Sequence, residues 1–531
     1  MKSPFQSWLP KGLIPVALLV LLFPTLSMSG VYTSNTPDLV GAMGTLSEYF
    51  TMANYATTIG MVVAYPLLLK VKGYYNSRTI LLVSYGATLG LSVLCATTGY
   101  PEVIVGASLF IGFFKMFAMI ELIIPIMMML SPTGDRGRFY AFFYPLSIGI
   151  GQFSAWLTAY LTYAYNWSYA YYFMVLAMLA CLLLVLLMYH DEPLETRVPV
   201  QGIDWLSVVL LASGLMTLNY VLAFGKYEDW LSSLRIQGGW IATVILLTAF
   251  VSRQIGHAHP FLDLSVLKSR NVRVALGLIF LMGAFFATGG IQTALTTTVL
   301  RFDNVTSAEL SLWMLPGVLA GGVLCFFWFK YKGGFRGLLL IGFGAFIAYH
   351  LLLYFRFHPG AGDHDLWFPN ALKGLGMLVL FVALGLYMAN KMTMVGMINS
   401  GMLMIMFRSF IGPAVFSALY SWGMYYGQIS HTQALAGRMD LLDPLVTARY
   451  QAAGLPASSM GAEAVHSRGA QALLGSVQVQ AVLVTGQELF GYIVLGGLAV
   501  LVLILVLPLQ PVNKRRLVNL RRRWRQVIPV P

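Results

Sequence analysis

The chain is 531 residues long, 58% hydrophobic and only 10% charged, with a formal charge of +13 at pH 7 and a mean hydropathy of +0.75. Soluble domains typically carry about 25% charged residues, so this balance excludes an ordinary soluble enzyme or binding module. The positive charge lies in short loops and one tail, which argues against a nucleic-acid partner.

Fourteen apolar stretches follow one another, each near the ~20 residues that cross a hydrocarbon core as a helix. The first six are predicted over Gly12 to Val31, Phe50 to Leu69, Thr79 to Thr97, Val103 to Leu130, Phe139 to Tyr163 and Tyr169 to Met188. Two more run over Trp205 to Phe224 and Trp240 to Ile255. The last six are Val274 to Leu295, Leu310 to Phe329, Leu338 to Tyr354, Phe368 to Ala389, Met397 to Tyr420 and Leu489 to Leu509. The first stretch, with Lys2, Lys11 and the small residues Ser27, Ser29 and Gly30 around it, also has the outline of a signal peptide. Removing it would leave an odd number of helices against the charge pattern, so it is read as the first span. The three cysteines, Cys95, Cys181 and Cys325, all fall inside apolar stretches without metal-ligand spacing.

Lys and Arg set the orientation. With the N-terminus inside, alternation places 23 basic residues on the inner side and 7 on the outer, leaving Lys115, Lys373 and Arg408 within spans. This positive-inside pattern predicts that both termini are cytoplasmic. The basic tail from Lys514 to Arg525 reads as a topology anchor, with a contact for anionic membrane lipids as the alternative. The loop Lys70-Val-Lys-Gly-Tyr-Tyr-Asn-Ser-Arg78 is echoed by Lys330-Tyr-Lys-Gly-Gly-Phe-Arg336. An echo at equivalent places in two six-helix halves is what an internally repeated transporter would show. The segment from Gly427 to Gln487 is long, polar and periodic, and it predicts amphipathic helices at the outer surface.

Several segments resemble a known family, the fourteen-helix drug:proton antiporters of the major facilitator superfamily, EmrB/QacA type. The residues that carry the resemblance are Ile203-Asp204-Trp205, Leu218-Asn219-Tyr220-Val221-Leu222, Asp229-Trp230, His259-Pro-Phe-Leu-Asp-Leu264, Leu315-Pro316, Phe407-Arg408-Ser-Phe-Ile-Gly412 and Gln480-Ala481. The resemblance implies an all-α polytopic membrane protein with the major facilitator fold. Its parts would be a six-helix half over 1–189, a linker with two inserted helices over 190–272, a second half over 273–513 that includes the outer loop 427–487, and a basic tail over 514–531. It further implies a bacterial inner-membrane exporter of amphipathic or hydrophobic small molecules, coupled to protons by alternating access. A periplasmic adaptor and an outer-membrane channel are the partners it suggests. Departures leave a non-transporting sensor or assembly subunit, and an uptake permease, as alternatives. The stretch from Leu67 to Thr79 lacks the family's loop acid, and the fifth-helix glycine motif is degenerate at Ile148-Gly-Ile-Gly-Gln-Phe-Ser-Ala155.

Ionisable groups inside a membrane are costly, about 2.5 to 3.5 kcal/mol at a helix centre, so the few present mark candidate sites. Glu121 is the proton-coupling candidate, facing a central cavity, with Arg408 and Lys115 as tuning groups or anchors for an anionic substrate. A permanent ion pair of Glu121 with one of those cations is the competing reading. Lys115 and Glu121 are six residues apart, about 600° around a helix, and therefore on different faces. Asn54, Tyr55, Tyr144, Gln152, Gln292 and Lys373 are the candidate cavity lining, each of which could instead serve as an interhelical hydrogen bond. No phosphate-binding loop, metal-spaced histidine cluster or nucleophile-base pair is present, so neither a cofactor nor an enzymatic reaction is expected.

Overall fold

The structure is a computed structural model describing residues 5–10, 12–28, 36–72, 74–130, 136–191, 203–257, 260–331, 333–390, 392–440, 442–454 and 461–509. The tail 514–531, most of the loop from His190 to Gly202, and the echo residues Gly73 and Lys332 lie outside these.

Every predicted span is matched by helix. We number them α1 Ile14–Ser27, α2 Ser47–Ala64, α3 Ser77–Thr97, α4 Pro101–Leu130, α5 Arg136–Ala164, α6 Ser168–Met188, α7 Trp205–Phe224 and α8 Leu234–Gly256. The series continues with α9 Arg270–Val299, α10 Asn304–Lys330, α11 Phe335–Arg356, α12 Asp363–Met388, α13 Gly396–Ala436 and α14 Ala462–Val506. Eleven of these are long and apolar enough to cross a membrane, and α1, α2 and α5 are the remaining three. No strand occurs among the described residues. A chain whose long helices bury few charges and present Val83, Leu176, Leu183, Val209, Ile241, Val244, Leu319 and Val502 outward is an integral membrane protein.

Polar residues punctuate the helices where the sequence turns. The Asp204 carboxylate accepts from the Ser207 amide ahead of α7, Ser233 from Arg235 ahead of α8, and Asp303 from Thr306 ahead of α10. Each such cap is worth about 1 kcal/mol to the helix it opens. The ends gather into two sets. Asn76 bonds Asp191 at 3.1 Å, Asn271 bonds the Asn390 carbonyl at 3.5 Å, and Arg336 bonds the Leu507 carbonyl at 2.7 Å. We call this the basic end, since Lys72, Arg78, Arg270 and Arg336 lie there. At the opposite end Asn304 bonds Asp38 at 2.7 Å and Tyr426 bonds Asp229 at 3.1 Å.

Packing separates central from peripheral helices. The apolar window of α12 is 61% buried and that of α8 only 17%, so α12 is interior and α8 rides on the outside against α7. Helices α2 and α4 approach closely. A Cβ on Gly60 would lie 2.0 Å from the Leu109 carbonyl oxygen, and one on Gly112 would lie 1.8 Å from that of Thr57. Only glycine permits this backbone contact.

The long polar segment carries the expected helices, as continuations of the spans beside it: α13 runs on to Ala436 and α14 begins at Ala462, with the short helix Pro444–Gly454 packed against α14. At 45 residues, α14 is about 68 Å long, more than twice the ~30 Å hydrocarbon core. The physical reason is the spacing of helix breakers. The 462–487 stretch of α14 contains no proline, and Gly461, at φ 100°, adopts the conformation that starts the helix.

Candidate functional site

The predicted site residues fall into separate clusters. Arg408 sits in a π-helical turn of α13, Phe407–Ile411, a local widening that is frequent at functional positions. Its guanidinium lies 4.4 Å from the Phe381 ring centre on α12 and 5.7 Å from that of Tyr144 on α5. Nη1 donates to the Tyr144 hydroxyl at 3.3 Å, whereas Nε is buried without a partner. No carboxylate among the described residues reaches Arg408 in ion-pair range. Tyr144 stacks on Tyr140 at 5.3 Å and meets Phe381 edge-on at 5.6 Å. One cation therefore joins α5, α12 and α13 through aromatic faces, an arrangement worth about 0.5 to 2 kcal/mol per contact.

Phe381 continues this wall towards a second cluster, touching Phe286 of α9 at 5.5 Å, which in turn touches Phe346 of α11 at 5.3 Å. Beyond it, the Tyr349 hydroxyl donates to Gln292 Oε1 at 2.8 Å, and Gln292 Nε2 donates to Asn370 Oδ1 at 3.4 Å. Lys373 Nζ stands 5.5 Å from the Tyr349 ring centre, again without a carboxylate. Fully buried His350 places Nδ1 2.7 Å from the Phe346 carbonyl and Nε2 3.1 Å from Thr288 Oγ1. The Phe346 carbonyl can only accept, so Nδ1 carries a proton, and the Thr288 hydroxyl has both His350 Nε2 and the Phe285 carbonyl, 3.2 Å away, as partners. Thr288 lies where α9 breaks between Phe286 and Gly289. The chain's single histidine inside a predicted span was the signal that could have flagged this network.

Glu121 and Lys115 are not brought to Arg408. Both are buried on α4, and Glu121 pairs with Lys72 Nζ at 3.1 Å, beyond the end of α2. The predicted competing pair of Glu121 thus exists with a different cation. Lys72 had been read only as part of the basic loop, and the signal available was its position at the same end of the bundle. Tyr55 packs on Phe410 at 5.7 Å and borders a cavity between α2, α7 and α13. Asn54 precedes it, half-buried, and Gln152 is half-buried on α5 away from both clusters' hydrogen bonds.

Asp204, part of the resembling segment, is a structural clamp. Arg253 of α8 donates to it through Nε at 2.8 Å and Nη2 at 3.0 Å, and Gln254 bonds Ser207 at 2.7 Å. The Arg253 side chain, followed by Ser207, holds the Asp204 carboxyl well below the usual carboxylate range.

Solved transporters superpose on almost the whole chain. A proton-dependent oligopeptide transporter matches with a TM-score of 0.56 at 12% identity, covering 96% of this chain and 98% of that one. The nucleoside transporter NupG matches with a TM-score of 0.54 at 11% identity, covering 93% and 99%. The chain has the major facilitator fold. No family model matches it. Its curated relatives include the colistin resistance protein EmrB of Acinetobacter baumannii, 23% identical over 50% of this chain and 53% of the relative. The fatty acid resistance protein FarB of Neisseria gonorrhoeae is 26% identical over 37% and 38%, and the multidrug export protein EmrB of Escherichia coli K12 is 25% identical over 43% and 44%. The match spans about half or less of each of these relatives' length. The chain is thus similar, at low identity, to EmrB-type export proteins.

Proposed function

We propose that the protein is a secondary active transporter that exports amphipathic or hydrophobic small molecules, and that its substrates carry a negatively charged group. The carrying observation is Arg408, a guanidinium among aromatic rings with an orphan Nε and, among the described residues, no carboxylate beside it. A charge left bare at that depth is costly, and an anionic ligand offsets the cost with charge-assisted hydrogen bonds. The aromatic wall of Tyr144, Phe381 and Phe286 suits the apolar body of such a ligand, and Lys373 supplies a second cation along it. The names of two relatives, for resistance to fatty acids and for multidrug export, support the same class.

Proton coupling is assigned to Glu121. Protonation removes the charge that holds Lys72, so a proton would loosen the tie between α4 and the end of α2. In this reading the halves 1–189 and 273–513 rock about the central clusters, with the pair of inserted helices within 190–272 at the side. The protein would sit in a bacterial inner membrane with both termini cytoplasmic. The projecting ends of α13 and α14 would then face the periplasm, offering a surface to an adaptor that leads to an outer-membrane channel.

The test is proton release from the purified, detergent-solubilised protein on addition of lipophilic anions, cations and neutral compounds. Anions are expected to bind and release protons, and Glu121→Gln to bind without release. Equal binding of cations and anions would defeat the substrate assignment, and release unchanged in the variant would defeat the coupling assignment.

A further inference from the structure

At the end opposite the basic loops, α2, α7 and α13 enclose a cavity of about 120 Å3, whose lining includes neither Arg408 nor its partner Tyr144. Its wall is polar for a site between membrane helices. Ser47, Thr51, Tyr55 and Ser417 contribute hydroxyls, and two full charges of opposite sign line the same space. Glu48 comes from the first turn of α2, and Lys226 follows the end of α7.

These charges do not neutralise each other. Glu48 accepts only from its neighbour Ser47 at 3.1 Å, and the contact of Lys226 is with the Tyr425 ring, 5.8 Å from its centre. Neither has an ion-pair partner among the described residues. Asn219 forms the floor, 1% exposed. Its Nδ2 donates to the Met52 carbonyl at 2.9 Å, which fixes the amide's orientation because a carbonyl can only accept. Oδ1 is therefore a buried acceptor, and it has no donor. The cavity thus presents a carboxylate that wants N–H donors and an ammonium that wants an anion, with the bare Asn219 oxygen buried in its wall.

We infer that this cavity binds a zwitterion of the phosphoethanolamine type, its primary ammonium towards Glu48 and Asn219 and its phosphate towards Lys226. A primary ammonium has three N–H donors, whereas a quaternary one has none, so the site discriminates ethanolamine from choline. The ligand can come from a lipid head group or from a free solute, since the cavity lies where α2 begins and α7 ends. This assignment does not depend on the transport reading, and its test reads binding alone.

The full chain, purified in detergent and delipidated, is titrated with phosphatidylethanolamine, phosphatidylcholine or free phosphoethanolamine. Binding is read by native mass spectrometry and by the thermal unfolding midpoint. Phosphatidylethanolamine is expected to bind at least tenfold more tightly than phosphatidylcholine, and Glu48→Gln and Lys226→Gln each to erase most of that preference. The double exchange Glu48→Lys with Lys226→Glu is expected to recover part of it. Binding of free phosphoethanolamine with the same variant sensitivity identifies a soluble source, and its absence beside the lipid preference identifies the membrane. Equal binding of the two lipids with no binding of the free zwitterion overturns the inference. So do single variants that fold and bind as the parent does.

Discussion

Lys72 Nζ stands 3.1 Å from the Glu121 carboxylate, tying the basic end of α2 to the interior of α4 across 49 residues of sequence. The carboxylate is 5% exposed and the ammonium 39%. Removing one partner therefore has unequal consequences on the two sides. Lys72→Met strands a buried carboxylate and should destabilise the protein by about 1 to 3 kcal/mol, whereas Lys72→Met with Glu121→Gln should recover most of that loss. Thermal midpoints of the two single variants and the double variant, compared in one detergent, check the pattern.

Arg408 makes a separable prediction. Arg408→Gln keeps a hydrogen-bond donor for Tyr144 and removes the charge, so affinity for a lipophilic anion should fall at least tenfold while that for a neutral analogue changes little. Tyr144→Phe should cost less, since it removes one hydrogen bond at 3.3 Å and leaves the ring face. Quenching of intrinsic tryptophan fluorescence by the two ligands distinguishes charge recognition from a general loss of packing.

The Asp204–Arg253 clamp predicts a pH dependence of stability. A carboxyl held below its unfolded value contributes stability that is present above that unfolded value, near 3.8, and is lost as pH falls through the folded value. Asp204→Asn should lower the thermal midpoint by an amount that is constant from pH 7 to about pH 5 and shrinks at lower pH. A difference that instead grows on acidification would show that Asp204 is not ionised in the folded protein.

The contact of α2 with α4 leaves no room for a side chain. Gly112→Ala would drive a methyl into the Thr57 carbonyl and should destabilise by about 2 kcal/mol or more, because backbone rather than a flexible side chain must move. Gly106→Ala, on the same helix with open space around its Cβ position, is the matched control and should be nearly neutral. Detergent stability of the pair, measured side by side, reads out the difference.

The architecture was legible because a bilayer imposes length and apolarity on each segment independently, so each of the fourteen spans could be read without knowing its neighbours. Pairing partners carry no such local mark. Glu121 was conspicuous as an acid in a span, yet nothing in the chain distinguishes Lys72 from Lys70 as its partner until α2 and α4 are packed. Arg408 was visible, whereas its carboxylate-free aromatic seat depends on three helices meeting. The stretch from Gly427 to Gln487 is helical, as its periodicity predicted, but how those helices join the spans was hidden for a related reason. Its polarity correctly sets it outside the apolar spans, but polarity does not say whether a helix ends at the membrane or continues beyond it. Breaker spacing decided that, with Gly437 and Gly461 bounding the turnover.

That continuity has a mechanical meaning. A continuous helix is a lever: from Phe490 to its start at Ala462 runs about 42 Å, and a tilt of about 10° at Phe490 sweeps that tip through about 7 Å. The tilt would start where Phe490 touches His350 and Phe357, and where Gln487 bonds the Phe357 carbonyl at 3.2 Å. A rearrangement of side chains around His350, too small to change the outline of the membrane bundle, would thus be magnified into a displacement of several ångströms at the far tip of α14.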